Sequence, residues 1–172
     1  VQTPTEFIKN IKSNLPGKYN VLNTVAALAM ANLYGISLQV IAKALLTFKG
    51  VKRRFSYKIK TENLVLIDDY AHHPTEINAA LGAIKEVYPL KKILGVFQPH
   101  LYSRTKDFVN EFAASLSLFD ELILLDIYPA RELPIQGVNS NWLLEKVDLI
   151  HKQVSTKNNL IENILKSDAQ VI

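Results

Sequence analysis

The stretch Leu64-Val65-Leu66-Ile67-Asp68-Asp69-Tyr70-Ala71-His72-His73-Pro74-Thr75-Glu76 sets three textures side by side. Leu64–Ile67 is an unbroken apolar run, the mark of a strand covered on both faces. A polar segment follows, and Pro74 then falls where the first turn of a helix tolerates a missing N–H. From Pro74 to Tyr88 the sequence is helical in character. A covered strand that passes through a polar segment into a helix is half of a β–α–β crossover.

The same unit recurs downstream. Ile93–Phe97 is the next buried strand and Thr105–Phe119 the next helix. Leu122–Ile127 is a third strand, with a helix expected over Asn139–Val147. Leu149–Val154 suggests a fourth strand, Lys157–Lys166 a helix, and Ala169–Ile172 a further strand barely begun. Phe55–Lys60 alternates apolar and polar residues, as a half-buried or edge strand does. Alternating strand and helix predicts an α/β, Rossmann-like, mainly parallel sheet with helices on both faces.

Before Gly50 the texture is helical. Pro16 and Gly17 mark a turn. Val21, Leu22, Val25, Leu28 and Leu33 then keep helical spacing from Asn20 to Tyr34, with Gly35 as the expected C-cap. Ser37 is placed to cap a second helix running to Phe48. Two units are therefore expected, 1–48 and 49–172, the first a short helical segment.

Composition narrows the function classes. Apolar residues are 48% of the 172 and charged residues 21%, which suits a cored domain and not a disordered chain. No apolar run approaches the roughly 20 residues of a membrane span, so no membrane partner is expected. Val1–Asn10 lacks the order of a signal peptide. Without cysteine there is neither disulfide nor thiolate metal site, which fits a cytoplasmic setting. The net charge of +4 raises the question of nucleic acid, but the only dense patch is Lys49, Lys52, Arg53 and Arg54, with no aromatic ladder. A small phosphorylated ligand suits such a patch better.

Three strands end in unusual polar segments: Asp68–Glu76, Gln98–Thr105 and Asp126–Glu132. In a parallel sheet all three ends lie along one rim, where such folds bind ligands. Carboxylates, imidazoles and guanidiniums together suit a ligand of both charges, such as an amino acid. Arg104 or Arg131 could hold a carboxylate in paired hydrogen bonds, and an acid or imidazole could receive the ammonium. Each piece also has a plainer role. Asp68 and Asp69 could simply end a strand and cap a helix, and Tyr128-Pro129 could anchor a loop. Adjacent His72 and His73 serve a single metal poorly, and no protein-built metal site is expected. His100 with Ser103 lacks the glycine elbow of a nucleophile. Neither Gly-x-x-x-x-Gly-Lys-Ser/Thr nor Gly-x-Gly-x-x-Gly occurs, so the chain offers no backbone cradle for a triphosphate.

Asp69-Tyr70-Ala71-His72-His73-Pro74-Thr75-Glu76 resembles the Asp-Tyr-x-His-x-Pro signature of the Mur ligases, which build the peptidoglycan peptide. Phe97-Gln98-Pro99-His100 with Ser103-Arg104-Thr105, and Tyr128-Pro129-Ala130 with Glu132, resemble the branch that adds L-alanine to UDP-N-acetylmuramic acid. Gly17-Lys18-Tyr19-Asn20-Val21-Leu22-Asn23 is similar to a segment late in the family's central ATPase domain. Gly50–Phe55 resembles the junction into its C-terminal domain. The resemblance runs in order from about Leu15 to Asn139.

It implies that 1–48 is the tail of the ATPase domain and 49–172 the amino-acid-binding domain, truncated at its end. It further implies a bacterial cytoplasmic ligase acting through an acyl phosphate, with ATP and Mg2+ as cofactors of the full-length enzyme. By the same resemblance, Asn20 and Asn23 lie near adenine, Arg54 meets ATP phosphate, and Asp69 meets the ribose. Tyr70, His72, His100 and Arg104 line or support the alanine pocket. No catalytic residue is assigned within the chain, which on its own is expected to be inactive and to hold no nucleotide tightly.

Three departures from the pattern matter. Tyr19 stands for the usual His, and Leu101 stands where many relatives carry Arg, shifting weight to Arg104. The chain also ends before the family's Gly-rich last strand and helix, so an unfinished sheet edge is expected. Rival readings are a ligase that recycles a whole tripeptide, a folate-type polyglutamate ligase, and a non-catalytic binding module. The apolar face of 1–48, deprived of an ATPase sheet, is expected to dimerise or to fold back on its own domain.

Overall fold

The structure, a computed structural model, describes residues 1–3 and 6–172. Two helices come first, α1 (Lys18–Leu33) and α2 (Leu38–Thr47), followed by the edge strand β1 (Ser56–Lys60). The chain then runs β2 (Val65–Asp68), α3 (Pro74–Val87), β3 (Leu94–Phe97), α4 (Tyr102–Asp107), α5 (Val109–Leu116) and β4 (Glu121–Leu125). It closes with α6 (Ser140–Lys146), β5 (Lys152–Ser155) and α7 (Leu160–Leu165). No helix among the described residues is long and apolar enough to cross a membrane.

β3, β4 and β5 pair in parallel, while β1 pairs antiparallel with β2. The two sheets are joined by the last residues of the chain. Val171 bridges both Val65 and Ile93 in parallel, the Val65 N–H donates to the Gln170 carbonyl at 2.9 Å, and the Leu94 N–H donates to the Val171 carbonyl at 2.9 Å. Residues 170–172 therefore lie between β2 and β3, so the short terminal strand is in the middle of the sheet, and β5, paired only with β4, forms an edge. Lys92 holds the turn before it, meeting Glu121 at 2.6 Å and Asp168 more closely still.

The core follows from this order. Val171 joins Phe55, Val65, Leu81, Ile84 and Ile93 in one cluster. A second cluster packs α3, α5 and α6 on β4 through Ile77, Phe112, Leu116, Leu122, Leu124 and Leu143. Gly95 lets the Phe119 ring approach the strand, since a Cβ there would meet it at 2.9 Å.

Local departures have local causes. The single helix expected over Thr105–Phe119 is two, broken at Phe108, whose backbone (φ −114°, ψ 25°) leaves helical geometry. The fourth strand begins at Lys152, later than expected; Ile150 and His151 ahead of it are exposed, and only the His151 carbonyl joins β4, accepting the Leu122 N–H at 2.9 Å. Ser37 does occupy the N-cap of α2 but makes no side-chain cap; the Glu6 carboxylate takes the Leu38 N–H at 2.8 Å. On α1 only Leu28 of the expected apolar face is buried, against Leu38 and Ile41, while Val21 and Val25 stay half exposed.

Candidate functional site

Because β2, β3 and β4 run in parallel, the segments that follow them gather at one lip of the sheet. They enclose a cavity of about 600 Å3 lined by Asp69, Tyr70, His72, Phe97, Gln98, His100, Arg104 and Tyr128, with Arg53 and Lys157 at its margin. The four side chains expected around an amino acid, Tyr70, His72, His100 and Arg104, are thus together. Arg131 is exposed and lies outside this lining, so of the two arginines considered only Arg104 faces the cavity.

Hydrogen bonds between segments shape the lip. Asp69 accepts the Phe55 N–H on one oxygen and the Ala71 N–H on the other, each at 2.8 Å, and the Tyr70 N–H donates to the Arg53 carbonyl at 2.8 Å. The second and third segments are zipped by the Leu101 N–H to the Tyr128 carbonyl at 2.9 Å and the Tyr128 N–H to the Pro99 carbonyl at 2.8 Å. Among the described residues, four of the five non-glycine residues with positive φ are here: Arg53, Phe55, Leu101 and Ala130. Each costs roughly 1–2 kcal/mol, and such strain collects where a site dictates the backbone.

His72 and His73 divide their work. The His73 ring caps α3, accepting the Thr75 N–H at 3.4 Å, and lies edge-on to Phe108. The His72 ring instead approaches Glu76 at 3.2 Å and stacks obliquely near Tyr70. Burial alone would raise the Glu76 pKa, but the His72 backbone N–H, the His72 ring and the Arg54 guanidinium outweigh it and hold the carboxyl below its ordinary value.

Deeper in the cavity, His100 Nδ1 and Arg104 Nη1 are buried and have no hydrogen-bond partner. Leaving such atoms unmet costs about 1–3 kcal/mol each, which a ligand would recover by offering an acceptor to Arg104 and a partner of matching polarity to His100. Burial, then the Arg104 guanidinium and the His72 ring, hold the His100 pKa below the ordinary histidine value against the opposing pull of Glu132. His100 therefore stays neutral beside a fixed positive charge. Arg104 makes no ion pair among the described residues.

Asn20, Asn23 and Arg54 line a different cavity, of about 790 Å3, with Tyr19, Leu28, Val40, Ile41 and Phe48. Asp69 is not in that lining, so the structure divides the expected nucleotide contacts between two adjoining hollows. Tyr19 lies near their boundary: burial first, and then the Asp69 carboxylate, raise its pKa, and its hydroxyl has no partner. The Asn20 amide donates to the Pro16 carbonyl at 2.7 Å, which leaves mainly its oxygen free. Apolar walls flanked by an amide and a guanidinium fit a flat heterocycle with an adjacent anion. Among the described residues no group of three or more His, Asp or Glu side chains comes together.

Sequence reasoning did not single out Arg53 or Lys157 as rim residues. Arg53 sits over the Tyr70 ring, its guanidinium carbon 4.4 Å from the centroid, and was legible only as part of a basic patch. Lys157 follows β5, and nothing in its local sequence marked it.

The family model for the glutamate ligase domain of Mur ligases matches residues 53–171. The chain is 62% identical over all 172 residues to a UDP-N-acetylmuramate–L-alanine ligase of Flavobacterium psychrophilum, and 60% identical over the same length to one of Christiangramia forsetii. It spans 38% of the length of each of these relatives. Among solved structures, it is similar to the UDP-N-acetylmuramate–alanine ligase of Thermotoga maritima, with a TM-score of 0.73 and 30% identity over 94% of this chain and 34% of that one.

Proposed function

The chain belongs to the Mur ligase family, and from that premise we propose that it is the C-terminal part of an ATP-dependent ligase that joins L-alanine to UDP-N-acetylmuramic acid. The observation that carries the proposal is an unpaired guanidinium, Arg104, with one nitrogen buried, beside the unpartnered imidazole nitrogen of His100, in one cavity at the lip of a parallel sheet. In this reading Arg104 holds the alanine carboxylate in paired hydrogen bonds. His100, uncharged at neutral pH, takes the proton that the ammonium must lose before its nitrogen can attack. Tyr70 and His72 close the pocket above the α-carbon.

Asn20 and Asn23 hold the base of ATP in the apolar cavity, Arg54 its phosphates, and Asp69 the ribose from the neighbouring hollow. ATP supplies the phosphoryl group that turns a carboxylate into a usable acyl donor. Asp69 also fixes the Phe55 and Ala71 amides, so its first effect is to keep the two cavities in register. Residues 1–48 belong, on this proposal, to a central ATPase domain, and 49–172 to the domain that closes on it. The exposed Val21, Leu22 and Val25 of α1 are then an interdomain surface, and the chain alone self-associates through it. The protein works in the cytoplasm of a bacterium.

The test is an assay of the longer polypeptide that carries this segment, following ADP release with UDP-N-acetylmuramic acid and either L-alanine or a whole tripeptide. Alanine-dependent turnover is expected, with a raised KM for alanine in Arg104→Ala. Preference for the tripeptide would overturn the proposal.

A further inference from the structure

Arg104 stays unpaired in spite of a nearby acid. Glu132, on the segment after β4, reaches α4 with both carboxylate oxygens: Oε2 accepts the Ser103 N–H at 2.9 Å, and Oε1 accepts the Ser103 hydroxyl at close range. α4 needs this help. Its N-cap is Leu101, at φ 71°, and makes no side-chain cap hydrogen bond. The first turn of a helix carries N–H groups without intrahelical partners, and a carboxylate satisfies them well there. Arg104 is the next residue along the chain. The opposite end of the same turn is fixed by Thr105, whose hydroxyl donates to the Leu101 carbonyl at 2.7 Å and which is fully buried.

We infer that Glu132 is the positioning residue of this pocket: it caps α4 from another segment, setting the direction of Arg104, and, being held by Ser103, leaves that guanidinium free for a ligand carboxylate. The inference rests on the proposal that Arg104 receives the carboxylate of an amino acid. Two jobs follow from one placement. A carboxylate aimed at Arg104 would neutralise it, whereas one held on Ser103 orients it. The backbone strain at Leu101 and Ala130 brackets the contact, and the Leu101–Tyr128 zipper keeps both segments within its reach.

The ligand-free arm of the experiment uses the 15N-labelled chain and three variants: Glu132→Gln, Glu132→Asp, and Glu145→Gln as an exposed control on α6. Without ligand, amide hydrogen exchange at Ser103 and the Arg104 Nε–H signal are read first. Glu132→Asp keeps the charge but withdraws the carboxylate by one methylene. Positioning predicts that it loses Ser103 protection by about tenfold and moves the Arg104 signal, as Glu132→Gln does, while Glu145→Gln changes neither. If Glu132→Gln fails to fold, Glu132→Asp alone decides. Unchanged Ser103 protection and an unmoved Arg104 signal in Glu132→Asp would overturn the inference.

L-alanine and L-alaninamide are then titrated into wild type, Arg104→Ala and Glu132→Asp. Carboxylate-dependent shifts that vanish in Arg104→Ala and weaken about tenfold in Glu132→Asp are expected. Equal response to both ligands, or wild-type response in Arg104→Ala, would instead overturn the underlying pocket assignment, whatever the ligand-free readings show of the contact with α4.

Discussion

Val65 and Val171 are parallel ladder partners in the middle of the sheet, joined through the Val65 N–H to the Gln170 carbonyl and the Ile172 N–H to the Val65 carbonyl, each at 2.9 Å. The last turn of sequence is thus what connects the edge pair β1–β2 to β3–β5. It sets the spacing between β2 and β3 within the sheet, and so between the segments that follow them.

Truncating Val171 to Ala should therefore cost about 2–3 kcal/mol, since the side chain is fully buried and the site can collapse little. Leu90→Ala, at a side chain 98% exposed, should stay within about 0.5 kcal/mol. Urea unfolding with an unchanged slope would compare them, and equal midpoints would count against a central position for Val171.

Asp69 provides a second check. Both of its oxygens accept backbone N–H groups, from Phe55 and Ala71, and hydrogen bonds to a charged acceptor are among the stronger ones. Asp69→Ala should cost about 2–3 kcal/mol of stability, and Asp69→Asn, which keeps one acceptor oxygen, about half of that. Thermal unfolding measures both. A Tm unmoved in Asp69→Ala would mean that solvent replaces these bonds without loss.

The His100 ring should titrate below the ordinary histidine value, since burial, the Arg104 charge and the His72 ring all lower its pKa. Between its folded value and about 6.5, the unfolded chain binds a proton that the folded chain refuses. Its contribution is therefore complete above that window, declines as pH falls through it, and declines no further below the folded value. Arg104→Ala should move the ring midpoint upward. Proton NMR of the ring C–H resonances would reveal it, and a downward movement would contradict the charge assignment.

Two glycines should respond with opposite signs. Gly17 adopts φ 91°, and a Cβ there would meet the Ala83 Cβ at 2.7 Å, so Gly17→Ala should destabilise by about 1–3 kcal/mol. Gly82 lies in α3 with nothing within 4 Å of a built Cβ, and Gly82→Ala should stabilise by up to about 1 kcal/mol. Paired denaturation curves would decide. Equal effects would argue that α1 does not pack on α3 through Gly17.

How far the letters reach can be seen residue by residue. Leu64–Ile67 and Ile93–Phe97 announced covered strands, and Pro74 a helix start, because burial on both faces and a missing N–H leave local marks in composition. Once the strands were taken as parallel, the meeting of His72, His100 and Arg104 followed, since right-handed crossovers put all the strand ends on one lip. Sequence alone determined that convergence and the family to which the chain belongs. Only the tertiary structure decided that residues 170–172 enter between β2 and β3, that Arg131 points away while Lys157 joins the rim, and that Glu132 is held by Ser103. Those outcomes depend on which distant groups complete a ladder or a helix end. Periodicity carries no record of a partner elsewhere in the chain; hydrogen-bond satisfaction in the folded state selects it.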